Sequence, residues 1–220
     1  MTSQTTSPPS LERYERLQLH LSRLSRGQLA QLRRSLGDDL PGQSVPWLEG
    51  VFLRSGLKIS YDAQWQALAV VAGLYALIER PDAAAEAPPT PEHRDSFGKT
   101  FGQLYLSQDQ RPSTEKRFLA LLDADMDGLP YALRQAVTLL KADGRHPDWA
   151  QLMADVGWWD HDISGDRIRR RWALDFYRTA ERRSDTDTDG PDADISTGTP
   201  PTGTLAPETD AEDTDQGDTL

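Results

Sequence analysis

Residues 123–128 read Asp-Ala-Asp-Met-Asp-Gly and match the first half of a calcium-binding loop. A complete loop needs a Glu at position twelve, because that carboxylate coordinates the ion with both oxygens. Position twelve counted from Asp123 is Arg134, and Pro130 falls inside the loop. A cation has the wrong sign at a coordinating position. We therefore interpret this segment as an acidic connection between two helices.

Histidine and serine patterns offer no recognisable catalytic site. Asp160, His161 and Asp162 could act as ligands or acid–base groups only if a specific turn made them converge, and we interpret them as a solvated loop. The other histidines fall in no HExxH or HxxE spacing, and no GxSxG or glycine-rich phosphate loop is present. The absence of Cys excludes disulfides and thiolate chemistry. We predict no metal, no cofactor and no enzymatic activity. A hydrolase with a triad assembled from distant positions stays open.

A row of arginines near position 170 is the strongest chemical signal in the sequence. At about 100° per residue, five arginines fall within about 120° of one helix face, whereas Ile168, Trp172 and Phe176 centre about 120° away. Guanidinium groups are planar and permanently charged, so they suit phosphate. The competing interpretation is a solvated face whose arginines pair with Asp and Glu. The five are Arg167, Arg170, Arg171, Arg178 and Arg182, and further cations among apolar helical segments are Arg33, Arg34, Lys99, Lys116, Arg117 and Arg134.

The charge of the chain is unevenly distributed. The 220 residues include 24 Lys and Arg and 35 Asp and Glu, for a net charge of −11. Eleven acidic residues lie within residues 184–220, which have no Lys or Arg, so residues 1–183 are formally neutral. The net charge therefore does not exclude nucleic-acid binding. One hypothesis is that the acidic tail competes with DNA for the basic faces; the alternative is a purely solubilising tail.

Apolar residues recur every three or four positions through most of the chain, which indicates helices packed on a core. No segment alternates apolar and polar residues as a strand does. Gly27 is expected to interrupt one helix, and Thr114 is expected to cap another. The sequence predicts an all-α fold with one or more compact helical bundles of about eight to nine helices. The predicted helices cover residues 11–36 with the break at Gly27, a short segment after Pro46, residues 62–79, 97–106, 114–122 and 130–144, a segment after Pro147, and residues 164–182.

Three segments are predicted to lack secondary structure because they contain few large apolar residues. They are a disordered N-terminus at residues 1–10, a Pro-rich linker or loop at residues 81–95 and a disordered acidic tail at residues 184–220. They divide the chain into an N-terminal helical part, residues 11–80, and a C-terminal helical part, residues 96–183. The longest apolar run has twelve residues, fewer than the about 18–20 that span a bilayer. No signal peptide is recognisable, so we expect a cytoplasmic protein without membrane contact.

Trp158 and Trp159 are adjacent, and neighbouring residues on a helix point about 100° apart. We therefore expect one of the two rings to be buried and the other to face a partner. The remaining tryptophans occupy apolar positions of helical patterns and are predicted to belong to the core.

Four segments in the C-terminal half, taken in order, closely resemble the CasB family, the small subunit of the type I-E CRISPR surveillance complex called Cascade. They are residues 115–125 (EKRFLALLDAD), 133–140 (LRQAVTLL), 148–152 (DWAQL) and 170–177 (RRWALDFY). Leu32-Arg33-Arg34 and Val45-Pro46-Trp47 also fit the N-terminal half of the family. The resemblance covers residues 11–180, and it does not extend to the acidic tail or to residues 81–95.

The resemblance implies a non-enzymatic helical subunit that acts in antiviral defence. It implies that two copies lie against the backbone and large subunits of Cascade. There they would stabilise the pairing of guide RNA with target DNA and hold the displaced strand, the arrangement called an R-loop. By family position, basic residues usual there correspond to Arg33, Arg34, Lys99, Lys116, Arg117 and Arg134. The alternative is a helical protein–protein adaptor that does not contact nucleic acid.

Overall fold

The computed structural model of the protein describes residues 10–38, 42–59, 61–79 and 94–186, with side chains as far as Glu181. Over these ranges the chain forms nine α-helices and no strand, which confirms the all-α prediction. No helix in the same ranges is long and apolar enough to cross a membrane. Residues 1–9, most of residues 81–95 and the tail beyond Thr186 lie outside the described part. The helices are α1 Leu11–Ser22, α2 Arg26–Ser35, α3 Leu48–Arg54, α4 Asp62–Ile78, α5 Phe97–Ser107, α6 Pro112–Leu122, α7 Leu129–Ala142, α8 Trp149–Val156 and α9 Asp162–Thr186.

Helix α4 forms the centre of the fold, as its apolar circumference predicts. Twelve of its seventeen residues are buried, and it packs against α2, α7 and α8. Gly73 allows α2 to approach closely, because a Cβ at that position would lie 2.6 Å from Cδ2 of Leu36. A helix buried on all sides can be apolar all round, which explains why α4 has no polar face.

The C-terminal helices pack around stacked aromatic rings. The centroids of the Phe118 and Phe176 rings lie 4.4 Å apart, and those of Phe101 and Phe118 lie 5.3 Å apart. These rings join α5, α6 and α9. Phe97 of α5 and Trp172 of α9 add a further pair, whose ring centroids lie 4.9 Å apart. One continuous hydrophobic core contains these residues together with the buried residues of α1–α4.

Both ends of the Pro-rich segment are held at the start of α8. At one end, Oε1 of Glu79 lies 2.8 Å from Nε1 of Trp149 and 2.9 Å from Nδ1 of His146. At the other end, Nη1 of Arg94 lies 3.2 Å from Oδ2 of Asp148. The described residues on either side of residues 80–93 thus both contact the start of α8.

The boundary between α1 and α2 differs from the prediction. The helix breaks before Ser25, and Gly27 lies inside the first turn of α2. Ser25 forms a capping box: its Oγ accepts from the N–H of Gln28 at 3.2 Å, and Oε1 of Gln28 accepts from the N–H of Ser25 at 3.0 Å. The cap determines the boundary because it satisfies two backbone donors, whereas a single Gly in a first turn costs little.

Thr114 does not cap α6, contrary to the prediction. The helix begins at Pro112, two residues earlier, because proline suits a first turn in which its missing N–H has no partner to lose. The hydroxyl of Thr114 instead donates to Oε1 of Gln108 at 2.5 Å, in the turn that precedes the helix. At the other end of the chain, α9 continues through Thr186 and includes the first residues of the predicted tail.

The expectation that one of the two adjacent tryptophans faces a partner is wrong. Trp158 is 5% exposed and Trp159 is 1% exposed. The residues lie in the turn between α8 and α9, so the angular spacing of a helix does not apply to them. Nε1 of Trp159 donates to the carbonyl oxygen of Ala124 at 2.9 Å, and its ring packs on Trp172 at a centroid distance of 5.0 Å.

Candidate nucleic-acid interface

Eight of the ten predicted binding residues are exposed cations without an ion pair in the part of the chain that the structure describes. Exposed guanidinium and ammonium groups of this kind are available to phosphate, because no carboxylate among the described residues has to be displaced first. The side chain of Arg182 lies outside the described residues. The eight are Arg33, Arg34, Lys116, Arg117, Arg134, Arg167, Arg170 and Arg178.

The first two cations lie in the last turn of α2. Leu29 and Leu32 are buried, and α2 packs against α4, so the opposite face of α2 points away from the core. Arg33 and Arg34 lie on that outward side and are exposed. Their positive charge also suits the C-terminal end of a helix, where the backbone carbonyls are partly negative.

Helices α6 and α7 contribute three further cations. The two helices pack against each other across the connection at residues 123–128, and Phe118 and Leu133 point into the core. Lys116, Arg117 and Arg134 lie on exposed positions. Arg117 precedes the end of α6 by five residues and Arg134 follows the start of α7 by five, so each lies about 7.5 Å along its helix from the connection. The packing of α6 on α7 therefore places cations of both helices within about 7.5 Å, along each helix, of the connection.

Helix α9 presents on its outward face three arginines that have no ion pair among the described residues. Trp172 and Phe176 are fully buried on the opposite side. Arg167, Arg170 and Arg178 are exposed, and they extend along about 17 Å of the helix at 1.5 Å per residue. The predicted division of α9 into a packing face and a basic face is thus present in the structure.

Arg171 differs from its neighbours because its charge is balanced within the protein. Its Nη2 pairs with Oδ1 of Asp155, a carboxylate whose residue is 3% exposed. Asp155 also accepts from Nε1 of Trp172 and from Nε2 of Gln151, each at 2.7 Å. A buried carboxylate needs this set of donors, because burial without them would be costly. Arg171 therefore attaches α9 to α8.

Lys99 also has a carboxylate partner. Its Nζ lies 2.5 Å from Oδ1 of Asp95, one helical turn earlier, and the two side chains are about one third exposed. Lys99 and Arg171 are consequently weaker candidates for phosphate binding than the eight cations that have no ion pair within the described ranges. Sequence periodicity does not distinguish them, since it predicts which face a residue occupies and not which acidic group lies beside it.

The outward face of α9 also carries apolar side chains that the sequence interpretation missed. Ile163 is 61% exposed, Leu174 is 46% exposed and Tyr177 is 40% exposed. The hydroxyl of Tyr177 donates to Oε1 of Glu115 at 2.9 Å, and burial together with this carboxylate raises the pKa of Tyr177. The signal in the sequence is the spacing 163, 167, 170, 174 and 178, which places two aliphatic residues and three arginines on one face.

The acidic and histidine motifs have structural roles. Residues 123–128 connect α6 and α7, as predicted, and Oδ1 of Asp125 accepts from the N–H of Gly128 at 2.8 Å. His161 precedes α9, and its Nδ1 accepts from the N–H of Ser164 at 3.3 Å. Within the described ranges, no three His, Asp or Glu side chains are grouped so that they could hold a metal ion.

Comparison with known proteins identifies a family for this fold. The sequence model for CRISPR-associated protein Cse2 matches residues 28–177. CRISPR-associated protein Cse2 from Thermus thermophilus is 32% identical over 153 residues, which are 67% of this chain and 77% of the relative.

Solved structures agree with the sequence match. The crystal structure of CasB from M. ruber is 33% identical, with a TM-score of 0.67 over 79% of this chain and 97% of that one. A chain of a CRISPR RNA-guided surveillance complex shares the fold at 23% identity, with a TM-score of 0.61 over 80% of this chain and 97% of that one. Because the family match spans well over half of its length, the chain belongs to the Cse2 family, also called CasB.

Proposed function

We propose that this protein is a non-catalytic small subunit of a type I-E Cascade complex and that it binds nucleic acid through its exposed cations. Family membership supports a role in such an assembly, and a chain of the same fold occurs in a CRISPR RNA-guided surveillance complex. The observation that carries the nucleic-acid part is the set of eight exposed cations without ion pairs in the described ranges.

The energetics of strand exchange explain what such a subunit contributes. Replacing a DNA duplex by an RNA–DNA hybrid is nearly balanced in free energy, so modest protein contacts to the strands decide the outcome. Arg and Lys side chains that neutralise phosphates supply these contacts without reading the base sequence. The protein would thereby stabilise both the guide RNA–target DNA pairing and the displaced strand.

The proposal includes the partners that the family resemblance implies. These are the backbone and large subunits of Cascade, a second copy of this chain, the guide RNA, and the target and displaced DNA strands, all in the cytoplasm. The exposed Ile163 and Leu174 on α9 offer an apolar area for a neighbouring subunit. Interfaces between proteins are enriched in Arg and Tyr as well as apolar residues, and α9 carries this combination.

A second candidate function follows from the same face of α9. If its mixed arginine and aliphatic surface binds only protein, the chain is a helical adaptor without nucleic-acid contact. The adaptor predicts no salt-dependent affinity for DNA in the free protein. It also predicts that Leu174→Asp weakens incorporation into the assembled complex.

The test is binding of the full chain to a single-stranded oligonucleotide across a salt series, measured by fluorescence anisotropy. The double variant Lys116→Gln/Arg117→Gln should weaken binding. It should also lower the magnitude of the slope of log affinity against log salt by about 1.4, because each of the two lost phosphate contacts contributes about 0.7. Arg23→Gln/Lys141→Gln is the matched control, because it removes the same charge from two exposed positions outside the predicted set.

Equal binding by both double variants would contradict a specific role for the α6 cations. No salt-dependent binding by the native chain would favour the adaptor. In that case, assembling the complex from its subunits with and without this protein shows whether R-loop stability depends on it.

A further inference from the structure

Several cations surround a tight turn at the C-terminal end of α3. Gly56 has a φ of 79°, and its N–H donates to the carbonyl oxygen of Leu53 at 2.9 Å. The N–H of Leu57 donates to the carbonyl oxygen of Phe52 at 3.1 Å, and Leu57 is buried. These bonds hold the turn in the left-handed conformation that favours glycine. Gly56 itself is exposed.

Two arginines of α1 lie against this turn. A Cβ built on Gly56 would lie 3.4 Å from Nη2 of Arg16 and 3.9 Å from Cγ of Arg13. Arg54 ends α3, Lys58 follows the turn, and both side chains are exposed. Since α1 and α3 pack against each other, the four cations lie on adjacent elements, with Nη1 of Arg54 directed one turn back, 3.4 Å from a Cβ built on Gly50. We call Arg13, Arg16, Arg54 and Lys58 the Gly56 patch.

Two of the three carboxylates on α1 and α3 have partners outside the patch. Glu15 pairs with Arg94, which lies before α5. Glu49 accepts from Nε1 of Trp65 on α4 at 2.6 Å. Glu15 is therefore balanced by a cation outside the patch, whereas Glu49 keeps its negative charge because the indole N–H is neutral.

The third carboxylate forms only a surface pair. Oε1 of Glu12 lies 3.3 Å from Nη1 of Arg16, and the two side chains are 68% and 48% exposed. Exposed pairs of this kind contribute little to stability, so a phosphate can take the place of the carboxylate. Arg13, Arg54 and Lys58 have no ion pair among residues 10–38, 42–59, 61–79 and 94–186. The patch therefore keeps an excess of positive charge.

We infer that the Gly56 patch binds the phosphate backbone of single-stranded nucleic acid, as a second contact surface apart from the cations of α6, α7 and α9. The inference rests on the proposed function for the identity of the ligand. Three of the four cations are arginines, whose planar donors match phosphate oxygens.

Tyr61 adds a reason to choose a single strand over an acidic protein. It lies three residues after Lys58 and is 39% exposed. Proteins that hold single strands combine a basic surface with aromatic rings on which bases stack. A Tyr close to the patch in the sequence fits that combination.

The test uses the fact that the chain has only four lysines, at positions 58, 99, 116 and 141. The full chain is acetylated with and without a single-stranded oligonucleotide, and the modification of each lysine is measured by mass spectrometry. The inference predicts a several-fold fall in acetylation at Lys58. Lys116 reports the proposed function independently, and Lys141 is the exposed reference.

Each outcome separates the two proposals. Protection of Lys116 without protection of Lys58 would overturn the inference about the Gly56 patch and leave the proposed function intact. Protection of Lys58 without Lys116 supports the patch and contradicts the placement of the other surface. If polyglutamate of equal charge protects Lys58 as well as the oligonucleotide does, the patch binds acidic protein and the inference fails.

Variants give a second measurement. Arg13→Gln/Lys58→Gln should lower the salt slope for the same oligonucleotide by about 1.4, whereas Arg23→Gln/Lys141→Gln should not change it. All four positions lie on the protein surface or partly so, and none belongs to the core. An unchanged slope in the first variant, with a normal circular dichroism spectrum, would overturn the inference.

Discussion

Two glycines one helical turn apart allow α5 to lie against the backbone of α9. A Cβ on Gly98 would overlap the carbonyl oxygen of Trp172, and a Cβ on Gly102 would lie 2.9 Å from the carbonyl oxygen of Phe176. This close contact positions the packing face of α9, and the outward arginines follow from it. The basic surface therefore depends on residues that carry no charge themselves.

Gly98→Ala should destabilise the protein by about 3 kcal/mol, because backbone atoms of α9 cannot move aside as a flexible side chain can. For a chain of this size, that change lowers Tm by about 6–12 °C in differential scanning calorimetry. Gly27→Ala is the matched control: it also changes the second residue of a helix, but its Cβ would meet nothing closer than 3.9 Å.

The control should leave stability unchanged or raise it by up to about 1 kcal/mol, since Ala favours helix over Gly. A Gly98→Ala variant as stable as the native chain would show that α5 and α9 are farther apart in solution than in this fold.

At the scale of elements, the start of α8 organises the connection between the two halves of the chain. His146, Asp148 and Trp149 bind the residues that flank the Pro-rich segment, and Nζ of Lys141 donates to the carbonyl oxygen of Leu77 at 3.3 Å near the end of α4. These contacts hold the described residues on either side of the segment.

Replacing residues 80–93 by eight Gly and Ser residues should therefore leave Tm within about 3 °C of the native value. Eight such residues span about 16 Å on average, and shortening a loop changes its closure free energy by only about 0.6 kcal/mol per halving of length. The measurement is thermal unfolding followed by circular dichroism.

Arg94→Ala in the native chain is the comparison for this experiment, because it removes an anchor and keeps the loop. It should destabilise the protein more than the replacement does, since the side chain of Asp148 is only 10% exposed and loses its ion-pair partner, keeping only the bond from the N–H of Gln151. The opposite order would show that residues 80–93 themselves stabilise the fold.

At the scale of the whole molecule, the distribution of charge matters more than its sum. The helical part presents exposed cations on α2, α6, α7 and α9, whereas ten acidic residues follow Thr186. Negative charge on the same chain makes the electrostatic potential around these cations less positive, which weakens the attraction of an approaching nucleic acid. A net charge of −11 is thus compatible with phosphate binding by the helical part.

Deleting residues 187–220 changes the net charge from −11 to −1 and should tighten binding of single-stranded DNA several-fold at low salt. The gain should shrink between about 0.1 M and about 1 M salt, where the screening length falls from about 10 to about 3 Å. Fluorescence anisotropy measures the affinity of the two chains at each salt concentration. A tail of native length with its acidic residues changed to Asn and Gln should behave like the deletion.

If the deletion and the neutral tail both bind as the native chain does, the acidic segment has no electrostatic role and the solubilising interpretation holds. If only the deletion tightens binding, the length of the tail matters and its charge does not.

The sequence by itself determined the helical fold, the central position of α4 and the two faces of α9. These features follow from apolar periodicity, which is local: each residue's face depends on its neighbours three and four positions away. The ordered segments between residues 115 and 177 were also sufficient to indicate the family. The errors at Gly27 and Thr114 arose where a cap or a proline overrode a residue's general tendency.

Only the tertiary structure decided which charges are available. Arg170 and Arg171 are adjacent and identical in type, yet one is unpaired among the described residues and the other meets the buried Asp155. The partner comes from another helix, sixteen residues away, so periodicity cannot reveal it. The same holds for the Gly56 patch, which forms only because α1 packs against α3. Electrostatic partners act through space, whereas the sequence pattern records positions along one element.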